Sequence, residues 1–353
     1  PREHQGRWRK WMGFELRNGP WDTCYNEDAD LTPKPIEQYQ TDGLFDLAMG
    51  YLRDWPEPTR EQPWACVVSV EPPHFPMEAP KDLEEKWLAT DLVDPPNHLK
   101  QPDWAPRARI KGETPDDAET VRKHKQLYYA MVENLDRNVG RMLDFLEADN
   151  LLDETVICFL SDHGEMQGAH GERHSIKDHP LEESIGIPFI VRHPDLRDRA
   201  GTELTAPTAT EDFFPTFLGL VGLAPKNRLP GTDVSPYIRG EVAEPGRPGV
   251  LLEFVHDLRA GHIYHGEYWR AFRTERYLYA VLGGARDGGK PWLLFDLEND
   301  PYEMDNRVDD AGSADLAGQL HGWLRERLIE TGDHYVLAPA WGFAGLNLWS
   351  DGD

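Results

Sequence analysis

The chain has 353 residues, of which 39% are apolar, 10% aromatic and 28% charged, a composition typical of one large globular domain or two smaller ones. Lys and Arg number 37 against 63 Asp and Glu, so the formal net charge is −26 at pH 7. The composition excludes disorder and collagen-like repeats, and the charge makes nucleic acid or an anionic membrane surface a poor partner. An anionic substrate would need a local positive field from a metal ion, Lys, Arg or His.

The cysteines and the start of the chain bear on its cellular location. Cys24, Cys66 and Cys158 are odd in number and widely spaced, which predicts neither a disulfide framework nor a zinc knuckle. The chain shows neither a signal-peptide core nor an apolar run long enough to span a membrane, and it does not begin with Met. We therefore expect an incomplete N-terminus, which leaves the location open, with the cytoplasm favoured.

The N-terminal third predicts little regular structure. Residues before Thr41 are rich in Trp, Pro and Gly and are expected to be irregular, and a short helix is predicted for 41–53. The apolar run 64–70 (WACVVSV) predicts a buried strand that ends before two prolines, with His74 on the following loop. The Pro-rich stretch 76–112 is expected to be a long connection.

The middle of the chain predicts alternating helices and strands. Thr114–Asp117 has the residue types of a helix N-terminus, and apolar residues at helical spacing follow as far as Leu146, which predicts a long amphipathic helix. The run 155–160 is apolar on both faces and predicts a central parallel strand, and 187–191 predicts a second strand. A further helix is predicted for 211–223.

The last third predicts a different architecture. Residues 239–249 have the Pro, Gly and charge content of a domain boundary. Aromatic and β-branched segments then alternate with turns from 251 to 297, which predicts an antiparallel sheet, and a helix is predicted for 313–331. We therefore expect a three-layer α/β domain with a mainly parallel sheet over 1–240, and a smaller C-terminal α+β subdomain over 241–353.

Polar residues that follow the predicted strand 155–160 are candidates for a site. Asp162 and His163 come just after the strand 155–160, where ligands bind in α/β sheets, and an adjacent carboxylate and imidazole can form half of a site for a divalent cation. An Asp-His pair in a loop can equally be a structural hydrogen-bonded pair. Likewise, His74 can cap a turn, and Lys177 can belong to a solvated charged loop.

Several motifs occur together around these residues. The turn SDHGE at 161–165 is followed by G-x-HG at 168–171 and by K-x-x-P-x-EES at 177–184, which leads into the strand IPFIV. Further motifs are VEPPHFP around His74, the helical segment YYAMVENLDRNVGRMLDFLE, EDFFPTFLGLVGL and FDLENDPYEMDN. With these motifs the chain resembles, over nearly its whole length, the sulfatase family of the alkaline phosphatase superfamily. The resemblance implies an alkaline-phosphatase-like fold.

The resemblance also implies roles for four side chains. Asp162 and His163 look like metal ligands, with His in place of the commoner Asn, and Lys177 looks like a ligand of a sulfate or phosphate oxygen. His74 looks like the group that hydrogen-bonds the ester and assists the leaving oxygen, so His74 and Lys177 are the expected catalytic and substrate-binding residues. The implied cofactor is a divalent metal, with calcium favoured over manganese or zinc, and the substrate is a small anionic ester.

One part of the family pattern is missing. Sulfatases resembling this chain carry a Cys or Ser, converted to formylglycine, in a C-x-P-x-R motif, and two Asp metal ligands after the first strand. None of the three cysteines here lies in such a motif. We therefore expect that the chain begins after that segment, and that it binds metal weakly and turns over little by itself.

Three functions remain open from the sequence. The first is hydrolysis of a sulfate ester by a metal-dependent hydrolase, and the second is hydrolysis of a phosphonate monoester or phosphodiester. The third is a non-catalytic remnant of a sulfatase that acts by binding or assembly. The apolar segment 341–349 (WGFAGLNLW) could cover a second copy, which makes a homo-oligomer an expected option.

Overall fold

The computed structural model of the protein describes residues 5–6, 8–14, 18–54, 62–104, 116–172, 175–254, 269–282 and 290–333. The chain forms two compact units, Pro1–Val93 with Asp117–Thr155, and Asp94–Asp116 with Val156–Asp353. Among the described helices, none combines the length and apolar character that crossing a membrane requires. Segment 341–349 lies outside the described residues.

The first unit begins with a three-stranded antiparallel sheet that the sequence did not predict. Its strands are β1 (Met12–Gly13), β2 (Thr23–Glu27) and β3 (Asp30–Ile36), in the order β1-β2-β3. The expectation of irregular structure was wrong because β3 contains prolines, which usually interrupt a strand. β3 is an edge strand, where a proline without an N–H can be accommodated.

The described residues of the first unit also form the α-helices α1 (Gln40–Arg53), α2 (Lys81–Leu88) and α3 (Ala118–Ala148). α1 and α3 confirm the predicted helices, and the Asp117 side chain caps α3 by accepting a hydrogen bond from the Thr120 backbone N–H at 2.8 Å. Thr114, part of the predicted N-terminus, lies outside the described residues. α2 was missed because its sequence is strongly charged and lies within the Pro-rich stretch.

The predicted buried strand at 64–70 is not a strand. No described strand pairs with these residues, and Val67 is 72% exposed. The prediction was wrong because β-branched residues favour a strand only where a neighbouring strand supplies hydrogen bonds and side-chain contacts.

The second unit contains a two-stranded sheet formed by β4 (Ile157–Leu160) and β5 (Phe189–Arg192), with α4 (Glu182–Ile185) between them in the sequence. Both strands confirm predicted elements, but they pair antiparallel, so the expected parallel pairing is wrong for them. Apolar content on both faces indicates burial and does not determine direction. The helices α5 (Phe213–Leu220) and α6 (Ser235–Ile238) follow.

The C-terminal part confirms the predicted antiparallel sheet and helix. Its strands follow one another in the sheet as β6 (Gly249–Phe254), β7 (Trp269–Thr274), β8 (Tyr277–Leu282) and β9 (Lys290–Asp296), and α7 is Ala314–Thr331. Residues 262–265, which fall within the region 251–297 predicted to form the sheet, lie outside the described residues.

Alternate residues of this sheet are buried on opposite faces. Tyr279 packs in a cluster with Leu324 of α7, whereas its neighbour Leu278 packs in a second cluster with Met166 and Leu181. The sheet therefore has a helix on one face and the segment between β4 and β5 on the other, as the two-residue period of a strand requires. That segment carries three of the four predicted site residues.

Removal of the buried Leu324 side chain should destabilise this second unit. We expect Leu324→Ala to lower the free energy of unfolding by about 2–5 kcal/mol, because it leaves a cavity against the sheet. Ile329→Ala on the same helix is the control, since Ile329 is 55% exposed whereas Leu324 is fully buried. Urea unfolding followed by circular dichroism measures both, and equal effects would contradict the packing.

An ion pair at the end of β9 should give the protein an acid-dependent stability. The Arg276 guanidinium donates from Nε and Nη2 to the two Asp296 carboxylate oxygens at 2.7 Å each. This pair, with a further hydrogen bond from Asn299, lowers the pKa of Asp296 to about 2. Since the folded state holds the carboxyl charged, this stabilisation is complete above the unfolded pKa near 4 and is lost as the pH falls towards 2.

We expect Asp296→Asn to remove about 1–2 kcal/mol of stability at pH 6 and to flatten the dependence between pH 4 and 2. Urea unfolding at a series of pH values measures this. Asp315→Asn, at an exposed position, should retain the acid dependence of the parent protein.

Candidate active site

The predicted site lies on the segment that connects β4 to α4 in the second unit. Gly164 follows Asp162 and His163, and its N–H donates to the Ser184 carbonyl oxygen at 2.7 Å. A Cβ built on Gly164 would collide with the Glu183 carbonyl oxygen, so only glycine allows the two backbones to approach so closely. Glycine at this position therefore sets the distance between the Asp-His turn and α4.

The turn orients the ring of His163. Its Nδ1 lies 2.8 Å from the Gly164 carbonyl oxygen, which can only accept, so Nδ1 carries the proton and donates. Nε2 is then the atom with the lone pair, and it lies 3.6 Å from Asp162 Oδ2. The Asp162 side chain is 84% exposed and that of His163 is 38% exposed. This orientation gives one nitrogen and one carboxylate that could share a cation.

Lys177 lies on the same segment and is exposed. Its carbonyl oxygen accepts from Ser184 Oγ at 2.6 Å, and the next carbonyl, of Asp178, accepts from Trp269 Nε1 at 2.7 Å. Burial raises the pKa of Glu165 to about 7, while the positive charge of Lys177 opposes that rise. The backbone of Lys177 is thus held against α4 and the C-terminal sheet, and its ammonium acts electrostatically on the turn after His163.

His74 belongs to the first unit. It lies in the turn after the two prolines, where its Nδ1 is 2.7 Å from the Phe75 carbonyl oxygen and its ring stacks on Phe75 with centroids 4.5 Å apart. Because the carbonyl can only accept, Nδ1 is the donor and Nε2 is the atom that can exchange a proton. Convergence of His74 with Asp162, His163 and Lys177 remains a prediction.

A second cluster of ionisable groups was not predicted. A nitrogen of His170 and a carboxylate oxygen of each of Glu183 and Glu303 lie within 4.8 Å of one another. His170 is 1% exposed and Glu303 is fully buried. The Asn97 amide Nδ2 lies 2.6 Å from Glu183 Oε1 and 3.1 Å from His170 Nε2.

Burial controls the charge of this cluster. It lowers the pKa of His170 to about 4 and raises the pKa values of Glu183 and Glu303, that of Glu303 well above its ordinary value. The three residues belong to G-x-HG, EES and FDLENDPYEMDN. The presence of ionisable residues inside these motifs was the only sequence signal for this cluster. The sequence did not indicate that the three residues lie close together.

Comparison with solved structures defines the class of protein. The structure superimposes on the phosphonate monoester hydrolase of Agrobacterium radiobacter with a TM-score of 0.68 and 25% sequence identity, covering 82% of this chain and 60% of that one. The architecture is thus the α/β fold of the alkaline-phosphatase-like hydrolases, as the sequence predicted.

Sequence comparison narrows this class to one family. A sulfatase profile matches residues 8–223, and a profile of the C-terminal region of N-sulphoglucosamine sulphohydrolase matches residues 171–330. The chain therefore belongs to the sulfatase family, as its motifs indicated.

Two curated relatives are similar along most of the chain. The ulvan-active sulfatase of Formosa agariphila is 27% identical over 95% of this chain, and the endo-4-O-sulfatase of Bacteroides thetaiotaomicron is 32% identical over 92% of it. The match spans 61% of the first relative and 62% of the second.

The close approach at Gly164 gives a test of the site's construction. We expect Gly164→Ala to lower the free energy of unfolding by about 1–3 kcal/mol, because its methyl group collides with the Glu183 backbone, which has to move. Gly140→Ala is the matched control, since nothing lies within 4 Å of a Cβ there and the residue is in the middle of α3. That control should instead stabilise the protein by about 0.5–1 kcal/mol.

Proposed function

We propose that this chain carries part of the active site of a metal-dependent hydrolase of sulfate esters. The observation that carries the proposal is the turn after β4. There Nδ1 of His163 donates to the Gly164 carbonyl oxygen, and Nε2 lies 3.6 Å from the Asp162 carboxylate. Membership of the sulfatase family supports the reaction class. The remaining metal ligands and the nucleophile are proposed to lie outside these 353 residues, because no C-x-P-x-R motif occurs among them.

The proposed chemistry follows from charge. A cation held by Asp162 and His163 would withdraw electrons from the sulfuryl oxygens, which gain charge as the ester bond breaks. Lys177 binds one of these oxygens as a compact positive charge. In its doubly protonated imidazolium form, His74 hydrogen-bonds the ester through Nε2–H and gives that proton to the leaving oxygen, which leaves the neutral ring with its proton on Nδ1. Together these groups supply the positive field that an anionic substrate needs in a chain of net charge −26.

Two features bear on the metal and on the substrate. Calcium is favoured by the family resemblance, whereas the imidazole of His163 is a ligand that suits manganese or zinc. Similarity to an ulvan-active sulfatase supports a sulfate ester of the ulvan type as the substrate. Similarity to a phosphonate monoester hydrolase favours phosphonate monoesters as the second candidate. In both cases the proposed nucleophile is formylglycine, which none of the described residues provides.

An activity assay tests the reaction class. The chain itself and the longest translation product of its gene should both be purified and assayed with 4-nitrophenyl sulfate and with phenyl phosphonates. We expect sulfate hydrolysis to exceed phosphonate hydrolysis in the form that carries a nucleophile. The reverse order would favour the phosphonate candidate, and the absence of both activities would leave binding or assembly as the function.

Substitution of the proposed side chains tests their roles. In the active form, Lys177→Ala and His74→Ala should each lower kcat/KM by about 10²- to 10³-fold, because charge that develops in the transition state loses a partner. Lys81→Ala is the control, since the Lys81 side chain is 88% exposed on α2 and should leave kcat/KM unchanged. Retention of full activity by Lys177→Ala would contradict the assignment.

The metal assignment has its own test. Asp162→Asn keeps the shape of the side chain but removes its charge, so we expect at least a ten-fold loss of affinity for the activating metal. Activity as a function of added calcium, manganese or zinc measures this loss. An unchanged metal requirement would show that Asp162 is not a ligand.

A further inference from the structure

The buried cluster of His170, Glu183 and Glu303 joins three distant parts of the second unit. His170 lies in the segment after β4, Glu183 lies in α4, and Glu303 lies in the turn that follows β9. One potential ligand atom from each residue lies within 4.8 Å of those from the other two. The proposed chemistry at Asp162 and His163 does not use these groups.

Each carboxylate has one oxygen held by the protein and one oxygen without a donor. Glu303 Oε2 accepts from the Glu182 backbone N–H at 2.9 Å, and Glu183 Oε1 accepts from Asn97 at 2.6 Å. The other oxygens, Glu303 Oε1 and Glu183 Oε2, are buried and have no hydrogen-bond partner among the described residues. Buried polar atoms are nearly always satisfied, so these two oxygens are positions where a further ligand could bind.

One pair of potential ligand atoms is close to the separation that a shared cation requires. His170 Nε2 lies 3.9 Å from Glu183 Oε2, which is too long for a hydrogen bond, and 3.1 Å from the Asn97 amide nitrogen, which a metal ion would replace as the partner of Nε2. Two ligands that each lie about 2.0–2.1 Å from a tetrahedral zinc ion are about 3.4 Å apart, so a closing movement of about half an ångström brings this pair into range.

The charges around the cluster also call for a cation. Two ionised carboxylates would bring a charge of −2 into a buried space, and the nearby Arg273 is already paired with Glu182 at 2.8 Å. A divalent cation would balance the negative charge of the two carboxylates, which burial otherwise disfavours.

We propose that His170, Glu183 and Glu303 bind one zinc ion, at a site additional to Asp162 and His163. One imidazole and two carboxylates are a ligand set that suits zinc, whereas calcium requires six to eight oxygens. The Glu183 side chain is 25% exposed, which provides a route for the ion to enter. The bound ion links three parts of the second unit: the segment on which Lys177 lies, α4, and the turn after β9. It therefore stabilises the predicted site.

Zinc binding should be measured in the Asp162→Asn background, so that the other predicted site does not contribute. The purified chain is dialysed against Zn²⁺, and bound zinc is measured by mass spectrometry together with the dissociation constant. We expect about one zinc per chain, and at least ten-fold weaker binding after Glu303→Gln is added. Glu298→Gln is the matched control, because Glu298 is in the same turn and its side chain is 64% exposed.

Two measurements keep the test decisive. Circular dichroism establishes that each variant is folded, and Glu183→Gln, at a partly exposed position, replaces Glu303→Gln if the latter does not fold. X-ray absorption at the zinc edge should show one imidazole with oxygen ligands at about 2.0–2.2 Å.

Absence of bound zinc in the folded parent chain, or equal binding by the Glu303→Gln and Glu298→Gln variants, would overturn the proposal. The readout is metal content, so it is independent of sulfatase activity.

Discussion

The structure of the second unit depends on a four-stranded sheet that must bury both of its faces. Neighbouring residues of β8, such as Leu278 and Tyr279, belong to different clusters, so a covering on one side alone would leave apolar side chains in water. α7 covers one face. The other face is covered by the segment between β4 and α4, whose apolar residues Met166 and Leu181 are almost completely buried.

This burial explains how a segment with little regular structure can hold functional groups in place. Polar contacts add to the apolar ones: the Asp178 carbonyl accepts from Trp269 of β7, and Glu182 pairs with Arg273 of the same strand. Asp162, His163, His170 and Lys177 therefore lie on a segment that is supported by strands much later in the chain. A change in the C-terminal sheet should affect the site even where it touches no functional residue.

Local sequence patterns predicted those helices and strands whose buried residues recur at a regular spacing along the sequence. α3 follows from apolar residues at helical spacing, and β7 to β9 follow from short β-branched and aromatic segments between turns. The run 64–70 has the composition of a strand but pairs with no described strand. β3 was missed because it contains prolines, which its position at the edge of the sheet allows. Both errors arise because strand formation depends on a neighbour that the local sequence does not contain.

The amino-acid sequence by itself determined the family, through ordered motifs, and it determined the candidates Asp162, His163, Lys177 and His74 through their places in those motifs. It also determined most helices, because their periodicity is local. Only the tertiary structure decided that β4 and β5 pair antiparallel and that charged residues from three separate motifs meet in one buried cluster. Pairing direction and convergence depend on how distant segments pack, which no local pattern encodes.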